Sequence, residues 1–267
     1  MRSLSFDAKK TFKGHFKPST QAERDFYKAL KRVAQVSGHI VDNHLDGVTI
    51  SNQKAMQDAL DRYSKQLEPW AKRQSRKMLE TVQKSNKRAY TMKSKTMGKE
   101  ITRAFLDPHN ISAEALIARH LHEEQVRLIK SIPVEAGLRA QELARKAALT
   151  GLRATPDKGT INEIKKELGF TTEQAENRAR LIARTETAKA NATINQARAM
   201  SVGSRQYRWH NSGDGAVRES HRIYKGQRLQ GKIFSWDNPP TLDDGMTGHP
   251  GEFPNCRCFA EPIFDEE

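Results

Sequence analysis

Apolar positions recur at helical spacing through most of the first two hundred residues and then lose that period. Beyond Thr20, Phe26, Leu30, Val33 and Val36 share one helical face, which predicts a helix fading near Gly38. A second helix from about Ser51 carries Met56, Leu60 and Leu67. Pro69 should kink or restart it, because proline removes a backbone donor and clashes with the preceding turn. A helix opening after Asn110 or Ser112 buries Ile117, Leu121, Leu128 and Ile132. Pro133 suits the first turn of a further helix through Leu138, Leu143 and Leu149.

Two capping-box patterns follow, Thr160 to Glu163 and Thr171 to Gln174, with Gly169 between them. They predict a short helix over 160–169 and a long one over 171–200. The long one is rich in alanine (175, 179, 183, 188, 190, 192, 197, 199), and small residues at that density allow close approach of a neighbour. After Gly203 the texture changes to turns and aromatics. Arg205 to Trp209, Gly231 to Trp236 and Arg257 to Ala260 read as strands, with turns at Asn238-Pro239-Pro240 and Asp243-Asp244-Gly245.

The expected fold is mostly α (α+β). An elongated helical N-terminal region and a long Ala-rich helix support a small β-rich C-terminal unit over 204–262. The expected divisions are a basic flexible arm over 1–20, a helical region over 21–159 and a last domain over 160–267, with a boundary loop at 155–159. The arm lacks any period, and Phe6, Phe12 and Phe16 are available to anchor on a partner.

Charge alters this picture. The chain of 267 residues carries 46 Lys+Arg against 32 Asp+Glu, a net +14. Residues 1–100 hold 22 basic and 10 acidic side chains, whereas 201–267 hold 8 and 10. Such a field calls for a polyanionic neighbour, nucleic acid first and an acidic protein surface second. Over 72–99 the only acid is Glu80, and Arg73, Lys77, Lys84 and Arg88 lie on one helical face. A solvated face normally interleaves acids, so Lys72, Arg73, Arg76, Lys77, Lys84, Lys87 and Arg88 are assigned to contact with DNA phosphates or an acidic partner.

No apolar run approaches the roughly 18–20 residues that span a bilayer, and no apolar stretch follows Met1 to Phe6. Neither a membrane span nor a cleaved leader is expected. Two cysteines make no disulfide framework, and a reducing cytosol is the expected setting. His120 and His122, two apart on a helix, point in different directions and read as surface residues.

Three pieces of the last hundred residues stand together. They are Ala183-Arg184-Thr185-Glu186-Thr187 with Asn191 and Asn195; Trp209 to His221 with Asp214, Arg218 and later Gly226; and His249-Pro250-Gly251 through Asn255-Cys256-Arg257-Cys258 to Pro262. In this order and spacing they resemble the phage Mu F-like family of minor head (head morphogenesis) proteins, over roughly 160–262. The resemblance implies a low-copy structural protein of a tailed phage head and a place in the virion, with assembly in the host cytoplasm. Its implied partners are the portal protein and a scaffold or major capsid protein, with non-specific contact to double-stranded DNA. It implies no established catalytic centre, so no enzyme and no cofactor are expected.

Arg184, Glu186, Asp214, Arg218, His221, His249, Asn255, Cys256, Arg257 and Cys258 are expected to form a structural polar cluster. Small β units with little core need such staples. Zinc at His221, His249, Cys256 and Cys258 is the minor alternative, since Cys-x-Cys is not the usual ligand spacing and the histidines sit on separate loops. A Cys256–Cys258 disulfide closes too short a loop. Two enzymatic readings stand as alternatives. An ADP-ribosyltransferase-like effector would use Arg184-Thr185-Glu186, but Ala188 stands where a second acid is needed. A metal-dependent nuclease on Asp214, His221 and His249 lacks a compact signature.

Overall fold

The computed structural model describes residues 16–46, 49–97, 108–149, 172–213 and 215–264. Most of the expected arm, the boundary loop at 155–159, the short helix over 160–169 and Asp214 lie outside them. The described residues are mostly helical, with a small antiparallel sheet near the C-terminus, as the pattern predicts.

Helix α1 (Thr20–Asp42) does not fade at Gly38. Ser37, Gly38 and Val41 are buried on the stripe set by Phe26, Leu30 and Val33, so packing carries the helix past the glycine. A two-residue hairpin, β1 (Leu45–Asp46) and β2 (Thr49–Ile50), leads into α2 (Gln53–Gln66). Asn52 caps α2, its side chain accepting from the Ala55 amide at 2.9 Å. Pro69 then falls in the first turn of α3 (Glu68–Met97), where its missing donor costs nothing.

Helix α4 (Pro108–Leu149) runs straight through Pro133 instead of restarting there. A proline inside a helix costs about 3 kcal/mol. Ile129, Ile132, Ala136, Ala140 and Leu143 form one buried stripe across it, and each large apolar side chain contributes about 1.5–3 kcal/mol. The unbroken phase puts Ala136 inside and leaves Leu138 on the surface, contrary to expectation. Helix α5 (Thr172–Ser201) follows.

The described residues divide into two compact units. The helical unit takes α1, α2, the hairpin, and residues 68–80, 118–149 and 172–187. In it Val41, Met56, Leu60, Ala136, Ala140 and Leu143 form a core. Gly137 lets α2 approach α4, for a Cβ there would lie 2.8 Å from Leu60 Cδ1.

The second unit takes residues 16–19, 81–97, 108–117 and 188–264. Its sheet has β3 (Gln206–His210) in the centre, with β6 (Ile233–Ser235) and β7 (Phe259–Ile263) antiparallel on either side. Tyr207 faces Phe234 and Trp209 faces Ala260 in register. A second hairpin joins β4 (Ile223–Tyr224) and β5 (Gln227–Arg228). Phe16 belongs to this core, not to a free arm. It is 1% exposed, sits edge-on to Tyr90 at 5.2 Å, and its carbonyl accepts from Asn191.

Candidate functional site

The C-terminal unit is built around polar residues of α5 that occupy positions a helix normally gives to its core. Asn191, Asn195 and Arg198, spaced four and three apart, are all buried. Asn195 donates to the Ala260 carbonyl at 2.9 Å and so holds β7. Gln196 donates to the Trp236 carbonyl and to His249. Arg198 forks onto Glu114 at 2.7 and 3.0 Å and spends Nη1 on Gln83 O and Asn86 Oδ1. A polar stripe at core spacing is the sequence signal for these residues, and Gln196 and Arg198 extend it beyond Asn191 and Asn195.

The loop from His249 to Cys258 lies against α5. Gly251 adopts φ +100°, and a Cβ there would come within 3.1 Å of Ala192 Cβ and 3.2 Å of Ala188 O. The Ala-rich helix and this glycine therefore make one close contact. Arg218 Nη2 donates to Pro254 O at 2.6 Å and fastens the following helical turn, Glu219–His221, to the loop.

That fastening delivers His221 to the two cysteines. Its Nδ1 lies 3.4 Å from Cys256 Sγ and 3.5 Å from Cys258 Sγ, and all three residues are buried. Both cysteines are reduced. Trp209 and Phe253 stand edge-on to the imidazole at 5.7 and 4.9 Å, and its Nε2 has no hydrogen-bond partner. Hydrogen bonding from Cys258, aided by His221 and opposed by burial, draws the Cys256 thiol down to about 5. Donation to Cys256, reinforced by burial, pushes the Cys258 thiol up.

His249 is elsewhere. Its Nδ1 meets Tyr207 Oη at 3.0 Å and its Nε2 meets Gln196 Nε2 at 3.3 Å, while its amide donates to Glu252. Burial lowers its pKa against the raising effect of Glu252. The four residues of the minor zinc alternative therefore separate into a His221–Cys256–Cys258 cluster and a His249–Tyr207–Gln196 chain. A third buried histidine, His210, was not anticipated. It bridges Glu261 at 2.8 Å and Gln230 at 2.9 Å, and Lys93 also reaches Glu261.

Arg184 and Glu186 belong to the helical unit, not to this one. Arg184 pairs with Glu23 of α1 at 3.2 Å, and Glu186 is buried. Asn255 takes φ +58° in the loop, and Arg257 is half-buried beside the cysteines in sequence.

The seven basic residues assigned to contact on α3 are all exposed, whereas Ala71, Met78 and Val82 are buried. Of these, Lys72 pairs with Glu68 at 2.8 Å, and Lys130 reaches the same carboxylate. Those two lysines hold the Glu68 carboxyl down at about 2.

Compared with known proteins, residues 134–261 match the phage Mu protein F like family. This stretch resembles that family. The match begins within α4, upstream of the motif-bearing residues, and ends in β7. The chain is also 39% identical over 140 residues to an uncharacterized protein of Haemophilus influenzae. The aligned part is 52% of this chain and 28% of that protein, so the chain spans little more than a quarter of its relative's length. No solved structure matches. Within the Mu F-like stretch, Trp209, His221, His249, Cys256 and Cys258 all face the interior of the C-terminal unit.

Proposed function

We propose that this chain is a minor head protein of a tailed phage, acting in head morphogenesis. The observation that carries this reading is the Mu F-like match over residues 134–261. In support, the motif residues are turned inward and used on one another. Arg218 holds a loop, His249 joins Tyr207 to Gln196, and Gly251 seats the loop on α5. That is the economy of a structural module, and it favours a non-enzymatic role in the virion, assembled in the host cytoplasm.

The finer part of the proposal concerns partners. The portal protein and a scaffold or major capsid protein are the protein partners, and the exposed basic residues of α3 meet packaged DNA. The charge supports this, with the excess of basic over acidic residues concentrated in residues 1–100. DNA contact of this kind is independent of sequence and falls steeply with salt, by orders of magnitude between about 50 and 200 mM, because each neutralised phosphate releases condensed counterions.

Mass spectrometry of purified heads from a phage encoding the chain tests the main reading. A few copies per head, and a null mutant with no filled heads, are expected. Absence from heads together with normal virions from the null would overturn it. Combining Arg73→Gln, Lys77→Gln, Lys84→Gln and Arg88→Gln tests the basic face. Lower DNA affinity with a shallower salt slope supports DNA contact. Intact DNA binding with failed incorporation into heads assigns the face to an acidic protein instead, and no change in either assay removes it from function.

A further inference from the structure

We infer that His221, Cys256 and Cys258 form a binding site for a divalent transition metal of the zinc class. The geometry points to this independently of the head-protein reading. Zinc binds imidazole nitrogen at about 2.0–2.1 Å and thiolate sulfur at about 2.3 Å, so neighbouring N and S corners of a tetrahedron lie about 3.6 Å apart. The observed separations from His221 Nδ1 are 3.4 Å to one sulfur and 3.5 Å to the other. The three ligand atoms lie within 4.8 Å of one another, and every one of the residues is buried. One imidazole face-edge thus addresses two sulfurs at once, which a histidine packed only for shape has no reason to do.

Buried N–H donors stand beside the site. The Cys258 amide donates to Cys256 Sγ at 3.3 Å. Trp209, edge-on to the His221 ring, carries a buried Nε1–H with no hydrogen-bond partner. A neutral thiol is a poor acceptor, whereas a metal-bound thiolate takes such donors well. Soft sulfur with imidazole selects zinc over magnesium or calcium. Three protein ligands leave a fourth corner for an oxygen donor such as water.

The chain also has a mechanical use for the ion. The ligands come from the turn at Glu219–His221 and from the segment just before β7, in a unit whose strands are only two to five residues long. A metal would tie those segments together, and it would exclude His249, whose two ring nitrogens are committed to Tyr207 and Gln196. On binding, each thiol still protonated gives its proton to the buffer as the metal–sulfur bond forms; no electron is transferred.

The test is made on the intact chain, purified without chelator and dialysed into metal-free buffer. Elemental analysis is expected to find one zinc per chain, with both thiols slow towards a disulfide reagent until a chelator is added. Replacing zinc with Co²⁺ is expected to give a near-ultraviolet sulfur-to-cobalt band and the visible absorption of a tetrahedral site. Cys256→Ser with Cys258→Ser should abolish both, whereas His249→Gln should retain one metal. A folded wild-type chain that takes up neither zinc nor Co²⁺, or that contains a Cys256–Cys258 disulfide, would overturn the proposal without recourse to any variant. Loss of metal in His249→Gln while its circular dichroism is unchanged would replace the ligand set.

Discussion

Tyr90 and Asn195 are joined at two points: the tyrosine hydroxyl donates to the asparagine's carbonyl oxygen at 2.9 Å and to its side-chain Oδ1 at 3.0 Å. Asn195 passes the link on to β7 through the Ala260 carbonyl. Tyr90 is fully buried, and burial pushes its phenol well up, so the proton stays where the bond needs it. A helix, a second helix and a strand of the C-terminal unit are thus registered by one side chain.

Tyr90→Phe keeps the ring and leaves Asn195 Oδ1 without this buried donor. The expected cost is about 0.5–1.5 kcal/mol, that of one lost hydrogen bond, since Asn86 Nδ2 still donates to Asn195 Oδ1 at 3.5 Å. Denaturant unfolding checks it: a lower midpoint at constant slope is expected, and an unchanged midpoint would show the bond to be dispensable.

Phe16→Ala should destabilise the C-terminal unit by about 3–5 kcal/mol, as removal of a buried aromatic does. A residue that only reached for an outside partner would leave the isolated chain's melting temperature untouched. The comparison separates core membership from anchoring.

Gly251→Ala should cost about 1–3 kcal/mol for the left-handed backbone. Contact with Ala192 and with the carbonyls of Ala188 and Cys258 adds to that. Because those neighbours are a packed helix and the loop itself, little can give. Thermal melts of Gly251→Ala beside Gly245→Ala, which has positive φ but open space, isolate the steric part.

Stability should fall on mild acidification, in two stages. His249 is buried neutral, with its pKa lowered from 6.5, so the unfolded chain takes up a proton before the folded one does. Stability is therefore full above about pH 6.5 and declines as pH drops through that value, levelling off below the folded pKa. Glu261 acts further down. Burial raises its pKa, but His210, Lys93 and Arg208 outweigh that, and its lowered value means support lost only as pH falls below 4.5. His249→Gln should flatten the upper decline and spare the lower one; melts from about pH 2 to pH 8 read both.

The helices were legible because their signal is local. Leu30, Val33, Met56 and Leu60 declare a buried face within a few turns, and the change of texture after Gly203 marks the β-rich unit. The structure bears out a mostly helical chain with a small antiparallel sheet. Pro133 misled because its penalty is local whereas the burial of Ile132, Ala136 and Ala140 that offsets it is not.

The sequence by itself determined the helical content, the β-rich C-terminal texture and the Mu F-like motifs, all of which are properties of neighbours along the chain. Only the tertiary structure decided which histidine meets the cysteines, and that Phe16 joins the core of the C-terminal unit. Those outcomes depend on loops closed by Arg218 on Pro254 and on Asn191 reaching Phe16, contacts far apart in sequence. Two histidines of identical chemistry, His221 and His249, are told apart only by the direction in which folded backbone points their rings.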